Sequence, residues 1–557
     1  MSIYSKTFIL SMYCMISAPV FAQNMYLELN LNNQAIQNRL RTSRSQSPLE
    51  VFRVIERASN DKRIHGIIIN AAGFSASQEY LWELRSALQE FKSRGKKICA
   101  FISAADIDMY CLASVADKIV MDELGILNLI GYAWGRGYVR NSLDKLGIGV
   151  RELRYMTYKS AAEMFTRDSI SEADRIQYNA WLDDIYMVTK DTLVHARAWT
   201  PERFDEIINK GFFFSSKEAL RQGLVDKVGR EEAVKEAVKE LEGAEVKTFV
   251  CFGNSEINIT GSKSYYGPAR ARGRQPVIAV VYANGQTDME QGMAARSLSH
   301  TIRKISGSKR VKAMVLRINS PGGSAEAADY IAEAVKFAKQ KMPVVVSMGP
   351  VAASGGYWAA MYANEIVATP YTLTGSVGVI GSWFYDNGLN RKLGFTVDSL
   401  QRGDHADLLT GMILPHRNLT AAEEERYRQL LMDMYEEFVV KVAAGRGMEV
   451  EKVRAIAEGR VYSGIGALNV GLIDKIGGLT DAVSIARNLA EIPADKKVIY
   501  HEYPKPKFFD KMLERLAMST ASDASSLLNI FIPEQTRSDL LYRIANNGRV
   551  MPLLPVD

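Results

Sequence analysis

At 557 residues, with 47% hydrophobic and 24% charged side chains, the chain is too long for a single core and too apolar for disorder over most of its length. A net charge of +6 is small for this size, and the densest basic run, residues 269–274, lacks the interleaved aromatics of a nucleic-acid surface, so no nucleic-acid partner is expected. The four cysteines, Cys14, Cys99, Cys111 and Cys251, form no CxxC pair and show no metal-ligand spacing, so the sequence indicates neither metal nor other cofactor and no disulfide framework.

In chain order, Lys6 precedes an apolar run over residues 7–21 that ends in Val20-Phe21-Ala22, a pattern that suits signal cleavage. The run is shorter than the roughly 20 residues that span a bilayer as a helix, so residues 1–22 are read as an export signal or a short anchor. Residues 23–47 are polar and rich in Asn, Gln and Arg, and are read as a lead-in with little to fix its structure. From Pro48 a helical pattern (Leu49, Val51, Phe52, Val54, Ile55) runs into IHGIIIN at 64–70, which has the continuous apolar character of a strand buried on both faces. A helical stretch over 80–93 and a second apolar run, KICAFI at 97–102, continue the alternation expected of an α/β unit with a parallel sheet.

The pattern then recurs. VKAMVLRINSPGGS at 311–324 falls on IHGIIINAAGFSAS at 64–77, and residues 357–367 fall on 110–120, both at an offset of 247 (311 − 64 and 357 − 110). Lys392-Leu393-Gly394 falls on Lys145-Leu146-Gly147 at the same offset, and GLIDK at 471–475 falls on GLVDK at 223–227 at 248 (471 − 223). Unrelated α/β units share a pattern but do not hold register this far, so the chain reads as a tandem duplication. The expected organisation is an N-terminal repeat over 48–242, a Gly/Ser/Arg-rich linker over 243–276, a C-terminal repeat over 277–490 and an extension over 491–557.

Two turns can carry chemistry. In the C-terminal repeat an apolar strand pattern ends in Gly349-Pro350-Val351-Ala352-Ala353-Ser354-Gly355-Gly356, where small neighbours let a substrate backbone approach Ser354 and a following helix start offers unpaired N–H groups. A second strand ends in Asn319-Ser320-Pro321-Gly322-Gly323-Ser324, whose paired glycines can present backbone donors to an oxyanion. Strand ends of a parallel sheet collect on one edge, which brings these turns together. The N-terminal repeat has Ile107 where the other has Ser354, and Ser75 and Ala76 where the other has Gly322 and Gly323. It carries instead Tyr158-Lys159-Ser160, and Ala406 falls on Lys159 at the offset of 247. A site shared between the repeats would use Lys159, held neutral by burial, as general base. The rival base is His405, in the same repeat as Ser354, and the residues alone leave both open. No G-x-S-x-G elbow surrounds Ser354.

SPGGS at 320–324, AASGGYW at 352–358, TLTGSVGVIG at 372–381 and YKSAAEMFTRDSIS at 158–171 together resemble the long, duplicated form of the signal peptide peptidase A (protease IV) family, over roughly residues 48–512. The resemblance implies a tandem pair of Clp protease/crotonase-like α/β units and a Ser-Lys dyad serine peptidase. It implies Ser354 as nucleophile, Lys159 as general base, Ser376 as a support for the lysine, and Gly322, Gly323 and Gly355 as the oxyanion-hole region. It further implies a homotetramer acting at a membrane surface on cleaved signal peptides and other short apolar peptides. The expected location is the periplasmic face of the bacterial inner membrane, or the periplasm if the signal is cleaved. The short N-terminal segment departs from the family's long membrane anchor. Two other readings compete: a crotonase-like acyl-CoA enzyme using the same glycine donors, and a catalytically inactive peptide-binding scaffold.

Overall fold

The computed structural model describes residues 24–31, 47–252, 260, 263–265 and 275–504. The export segment, the basic run at 269–274 and most of the C-terminal extension lie outside the described residues.

The apolar runs form the centres of two sheets. In the first, the strands run in the order Phe213–Ser215, Lys118–Asn128, Lys97–Asp106, Ile64–Asn70, Met25–Asn30, Thr248–Phe252 and Lys263–Ser264. The second runs Val461–Tyr462, Leu373–Gly375, Val344–Ala353, Val311–Ser320, Val277–Asn284 and Ile499–Tyr503. Pairing along each path is parallel except for the short strands Phe213–Ser215 and Val461–Tyr462. Helices connect the parallel strands, as such a sheet requires.

The repeat boundaries read from the sequence need correction. Met25–Asn30, placed in the lead-in, is an interior strand between Ile64–Asn70 and Thr248–Phe252, and the latter falls in the segment read as linker. Ile499–Tyr503, assigned to the extension, pairs with Val277–Asn284 in the second sheet. The charged residue in MYLELN concealed the first of these: Glu28 is fully buried and accepts from Asn70 Nδ2 at 3.0 Å and from Thr260 N at 3.0 Å. A buried carboxylate is tolerable when its lone pairs are so occupied.

The recurring motifs have a physical cause. Tyr110 Oη donates to the Leu224 carbonyl at 2.6 Å, and Tyr357 Oη to that of Leu472 at 2.8 Å. The aspartates two residues on accept the backbone N–H of Ile119 (Asp226, 2.8 Å) and of Ile366 (Asp474, 2.7 Å). GLVDK and GLIDK are thus the same clasp, pinning the same helix and strand in each repeat.

Three contacts, among others, dock the repeats on each other. Gly381–Asp386 pairs antiparallel with Ile148–Leu153. One face of the second sheet, with Ile278, Val280, Ala313, Val315 and Val345, shares a core with Leu81, Leu84 and Leu88 of the first repeat's helix Gln78–Ser93. Buried Arg317 reaches from Val311–Ser320 to Glu79 Oε1 at 2.6 Å and Glu83 Oε1 at 2.7 Å on that helix, and donates to Ser347 Oγ at 2.7 Å on the neighbouring strand. Burial pushes the Glu83 carboxyl up to about 7 even beside the guanidinium. Arg317→Ala leaves two buried carboxylates without their cation and is predicted to cost about 3–5 kcal/mol at neutral pH. Both carboxyls then have raised values in the folded state, so the loss shrinks as pH falls toward the ordinary glutamate range. Urea unfolding of wild type and variant at pH 7.5 and pH 5 measures both effects.

Candidate active site

Ser354 stands where Val344–Ala353 turns into the helix Gly355–Ala360, with φ 55° and ψ −119°. Its N–H donates to the Gly375 carbonyl at 2.9 Å and its own carbonyl accepts from Trp358 N at 2.9 Å, so strand and helix leave the turn no freedom to relax. Such a conformation costs a non-glycine residue about 1–3 kcal/mol and persists only where its surroundings impose it. The flanking glycines make it sterically possible. A Cβ on Gly322 would sit 2.6 Å from Ser354 Cβ, and one on Gly356 would sit 2.7 Å from the Ser320 carbonyl oxygen. The sequence AASGG therefore builds a strained strand-turn-helix corner without the G-x-S-x-G signature.

The loop carrying Gly322 (φ 102°) and Gly323 (φ 150°) is latched by Thr287, whose N–H donates to the Gly322 carbonyl at 2.8 Å and whose carbonyl accepts from Ser324 N at 2.8 Å. Ser324 Oγ then caps the helix Ala325–Lys339. The two glycines are not equivalent: the Gly322 N–H is engaged with Ser320 Oγ at 3.2 Å. Among the described residues the N–H groups of Gly323 and of Gly355, the latter at the helix start, have no acceptor. They are the donors available to a developing negative charge.

Lys159 enters from the other repeat. Its segment is held by the second repeat through Tyr158 N donating to the Glu458 carbonyl (2.8 Å) and Thr157 N and Oγ1 donating to Glu458 Oε2 (3.0 and 2.8 Å). Gln177 bridges the junction, donating to the Tyr158 carbonyl at 3.2 Å and accepting from Val461 N at 3.0 Å. Gly459, at φ 76°, lies so close that a Cβ there would meet Lys159 Cβ at 2.5 Å. The result is a lysine only 5% exposed whose Nζ is 2.8 Å from Ser354 Oγ, 2.8 Å from the Ser376 carbonyl oxygen and 2.9 Å from Ser376 Oγ. Burial alone lowers its amine to about 7. A neutral amine has two N–H groups and one lone pair. With both N–H groups directed at Ser376, the lone pair is left for the Ser354 hydroxyl.

The sequence-selected residues Ser354, Lys159, Ser376, Gly323 and Gly355 thus converge, and Gly322 adjoins them through its packing. His405 does not: its Nδ1 is 2.8 Å from Glu423 Oε1, its side chain is 65% exposed, and Arg417 holds the same carboxylate. Ala406 is exposed, and Ile107 is a buried residue at the start of the helix Ile107–Ala113. Sequence reasoning did not find Thr287, Gln177, Glu458 or Gly459. Only Gly459 left a signal, because it falls on Gly211 at the 248 offset (459 − 211).

Known proteins match this chain in the same two places. The peptidase family S49 profile matches residues 90–245 and 336–493, and a Clp protease profile matches 284–370. The chain is 32% identical over 462 residues to the serine protease SPPA, chloroplastic, of Arabidopsis thaliana, a match covering 81% of this chain and 67% of that protein. It is 31% identical over 509 residues to protease 4 of Salmonella typhi (87% and 79% covered) and 28% over 470 residues to protease 4 of Haemophilus influenzae (82% and 75%). These matches favour neither the acyl-CoA nor the inactive-scaffold reading. With one match in each repeat and relatives aligned across most of its length, the chain is a serine peptidase and belongs to peptidase family S49.

Proposed function

We propose that Ser354 is the nucleophile and Lys159 the general base of an endopeptidase that degrades cleaved signal peptides and other short apolar peptides. The observation that carries this reading is the 2.8 Å approach of a buried lysine, lowered to about 7, to a strained serine hydroxyl. The Ser354 hydroxyl attacks the peptide carbonyl while the Lys159 lone pair takes its proton. The N–H groups of Gly323 and Gly355 hold the oxyanion, and the lysine returns the proton to the departing amine. Water, activated by the same lysine, then releases the acyl group from Ser354. Ser376 orients the amine through both its oxygens.

The substrate class and setting come from the relatives' names and from the apolar run at 7–21. We place the enzyme on the periplasmic face of the inner membrane, or in the periplasm after signal removal, as a homotetramer. Among the described residues no helix is long and apolar enough to cross a membrane.

A fluorophosphonate probe is expected to label wild type and not Ser354→Ala, and Lys159→Ala is expected to lower kcat by about 10³-fold or more. Because the base acts only when deprotonated, kcat/KM of wild type should rise with pH through an apparent value near 7, a limb that Lys159→Ala lacks. Retention of near-normal turnover in Lys159→Ala, with loss in His405→Ala, would sink the dyad. The same depressed amine works against folding: between about pH 7 and the ordinary lysine value the unfolded chain keeps a proton that the folded one has lost. Wild-type stability therefore rises between about 7 and the ordinary lysine value, which differential unfolding against Lys159→Met would measure. Gly322→Ala, at φ 102° with its new Cβ against Ser354 Cβ, should displace the hydroxyl and cost about 10²-fold in kcat with the chain still folded.

A further inference from the structure

The long helix that opens just past Lys159 begins with a buried charge. In Glu172–Arg197, capped by Ser171, the third residue is Asp174, which is fully buried. The long helix of the second repeat, Ala421–Arg446, has the same 26 residues, is capped by Thr420, and carries buried Glu423 at the same position. Both correspondences hold at an offset of 249 (420 − 171 and 423 − 174). The N-terminal end of a helix favours a carboxylate in its first turn, which accounts for the tolerance of the charge and not for its use.

Both carboxylates are turned on the stretch of chain that precedes their helix. Glu423 accepts from Arg417 through both oxygens, at 2.8 and 2.9 Å, and lies 2.8 Å from His405 Nδ1, beside Ala406, the counterpart of Lys159. Asp174 Oδ1 accepts from Ser160 Oγ and from Gln177 Nε2 at 2.7 Å, and its Oδ2 is 2.8 Å from Arg136 Nη1. Two of these partners then hold the backbone on either side of the lysine. Arg136 Nη1 donates to the Ser160 carbonyl at 2.7 Å, and Gln177 Nε2 to the Tyr158 carbonyl at 3.2 Å. Arg136 is itself seated over the Trp134 and Tyr178 rings, at 5.3 and 5.8 Å. The other charges nearby are engaged elsewhere: Glu163 with Arg154 at 2.5 Å, Glu458 with Thr157, and Arg460 over the Tyr158 ring at 5.2 Å. Burial raises the phenols of Tyr178 and Tyr138, which stay neutral.

We propose that Asp174 is a positioning residue for the Lys159 base, gathering Ser160, Arg136 and Gln177 into one network that fixes the backbone on both sides of the lysine. The assignment rests on the Ser354–Lys159 reading above. A buried ion pair gains little stability over apolar residues of the same volume, so the worth of this one lies in the geometry it imposes. That geometry is demanding. Lys159 Nζ has to aim both N–H groups at Ser376 and its lone pair at Ser354, across the junction between the repeats, and a small shift of its backbone misaligns all three contacts. The lysine's own N–H makes only a 3.3 Å bond to the Met156 carbonyl, so the flanking carbonyls carry the restraint.

Ser160→Ala in the full chain removes a hydroxyl and no charge, and tests the network through the lysine it positions. A loosened Lys159 admits water, so the limb of kcat/KM expected near 7 should move up by about one pH unit toward the ordinary lysine value. At pH 7 kcat should fall by about 10- to 100-fold with KM little changed, and the loss should shrink by about pH 9. Asp174→Asn keeps the side-chain shape and should lower kcat by a similar factor. The two changes together should cost no more than the worse of them, because both cut the same network. Circular dichroism should match wild type for Ser160→Ala, and that variant decides alone if Asp174→Asn does not fold. A merely structural role lowers the active fraction equally at every pH, leaves the limb near 7 and gives additive losses; any of these results overturns the proposal. Lys159→Ala in the same assays separates the two readings. If it keeps the limb, the base assignment falls and this one with it; if it loses the limb while Ser160→Ala leaves it in place, only the role of Asp174 falls.

Discussion

A lysine without a carboxylate, shut away from water, is the constraint on which the rest of this structure turns. Lys159 is 5% exposed and its amine is lowered by burial alone. An opposite charge beside it would have restored the ammonium and removed its lone pair from use. Among the described residues its partners are neutral, the carbonyl and hydroxyl of Ser376 and the hydroxyl of Ser354. Burial on this scale needs walls on every side, and one repeat cannot provide them: Gly459, Glu458 and Ser376 come from the other half. The docking of the repeats is therefore part of the site, and Arg317 with Glu79 and Glu83, together with the Gly381–Asp386 ladder, holds the lysine within reach of Ser354.

The serine side of the site stores strain where the lysine side stores desolvation. Ser354 sits at a positive φ that strand and helix impose jointly, and Ser376 does so as well at φ 53°. Both are short, and the glycines around them remove the Cβ atoms that would otherwise collide. Thr287 completes the arrangement by fixing the peptide units of Gly322 and Gly323 without contacting the lysine. The Gly323 and Gly355 N–H groups are left unpaired as a consequence of this geometry, since a glycine at φ 150° and a residue at the first position of a helix have no local acceptor to turn to.

Much of this was legible in the sequence because duplication makes differences conspicuous. The runs at 64–70 and 97–102 have the character of buried strands, and the offset of 247 alone sets Ile107 against Ser354 and Ala406 against Lys159. What stayed hidden has identifiable causes. Met25–Asn30 was masked by a buried glutamate whose partners, Asn70 and Thr260, are distant in sequence. Thr287 acts largely through backbone groups, which any residue type carries, Glu458 is one carboxylate among many, and Gln177 is one amide among many on a long helix. The ladder between Gly381–Asp386 and Ile148–Leu153 joins segments that are not counterparts in the repeat, so repeat comparison could not pair them.

The divergence of the two halves follows the direction that stability favours. A junction carrying both a buried unpaired lysine and a strained serine sacrifices stability twice, and a chain with two copies of the same unit needs only one such site for chemistry. At the first repeat's corner the strain is gone: Ile107 has no positive φ, is buried with the core, and starts a helix capped by Asp106, whose carboxylate accepts from Met109 N at 2.9 Å. At the second repeat the lysine's counterpart is an exposed alanine, which removes the desolvation of an amine. Each replacement leaves at the counterpart position a residue that no longer opposes folding, and the remaining costs are concentrated where Lys159 meets Ser354. The reciprocal pattern that identifies the site is thus also what partition of those costs between two copies of one fold would produce.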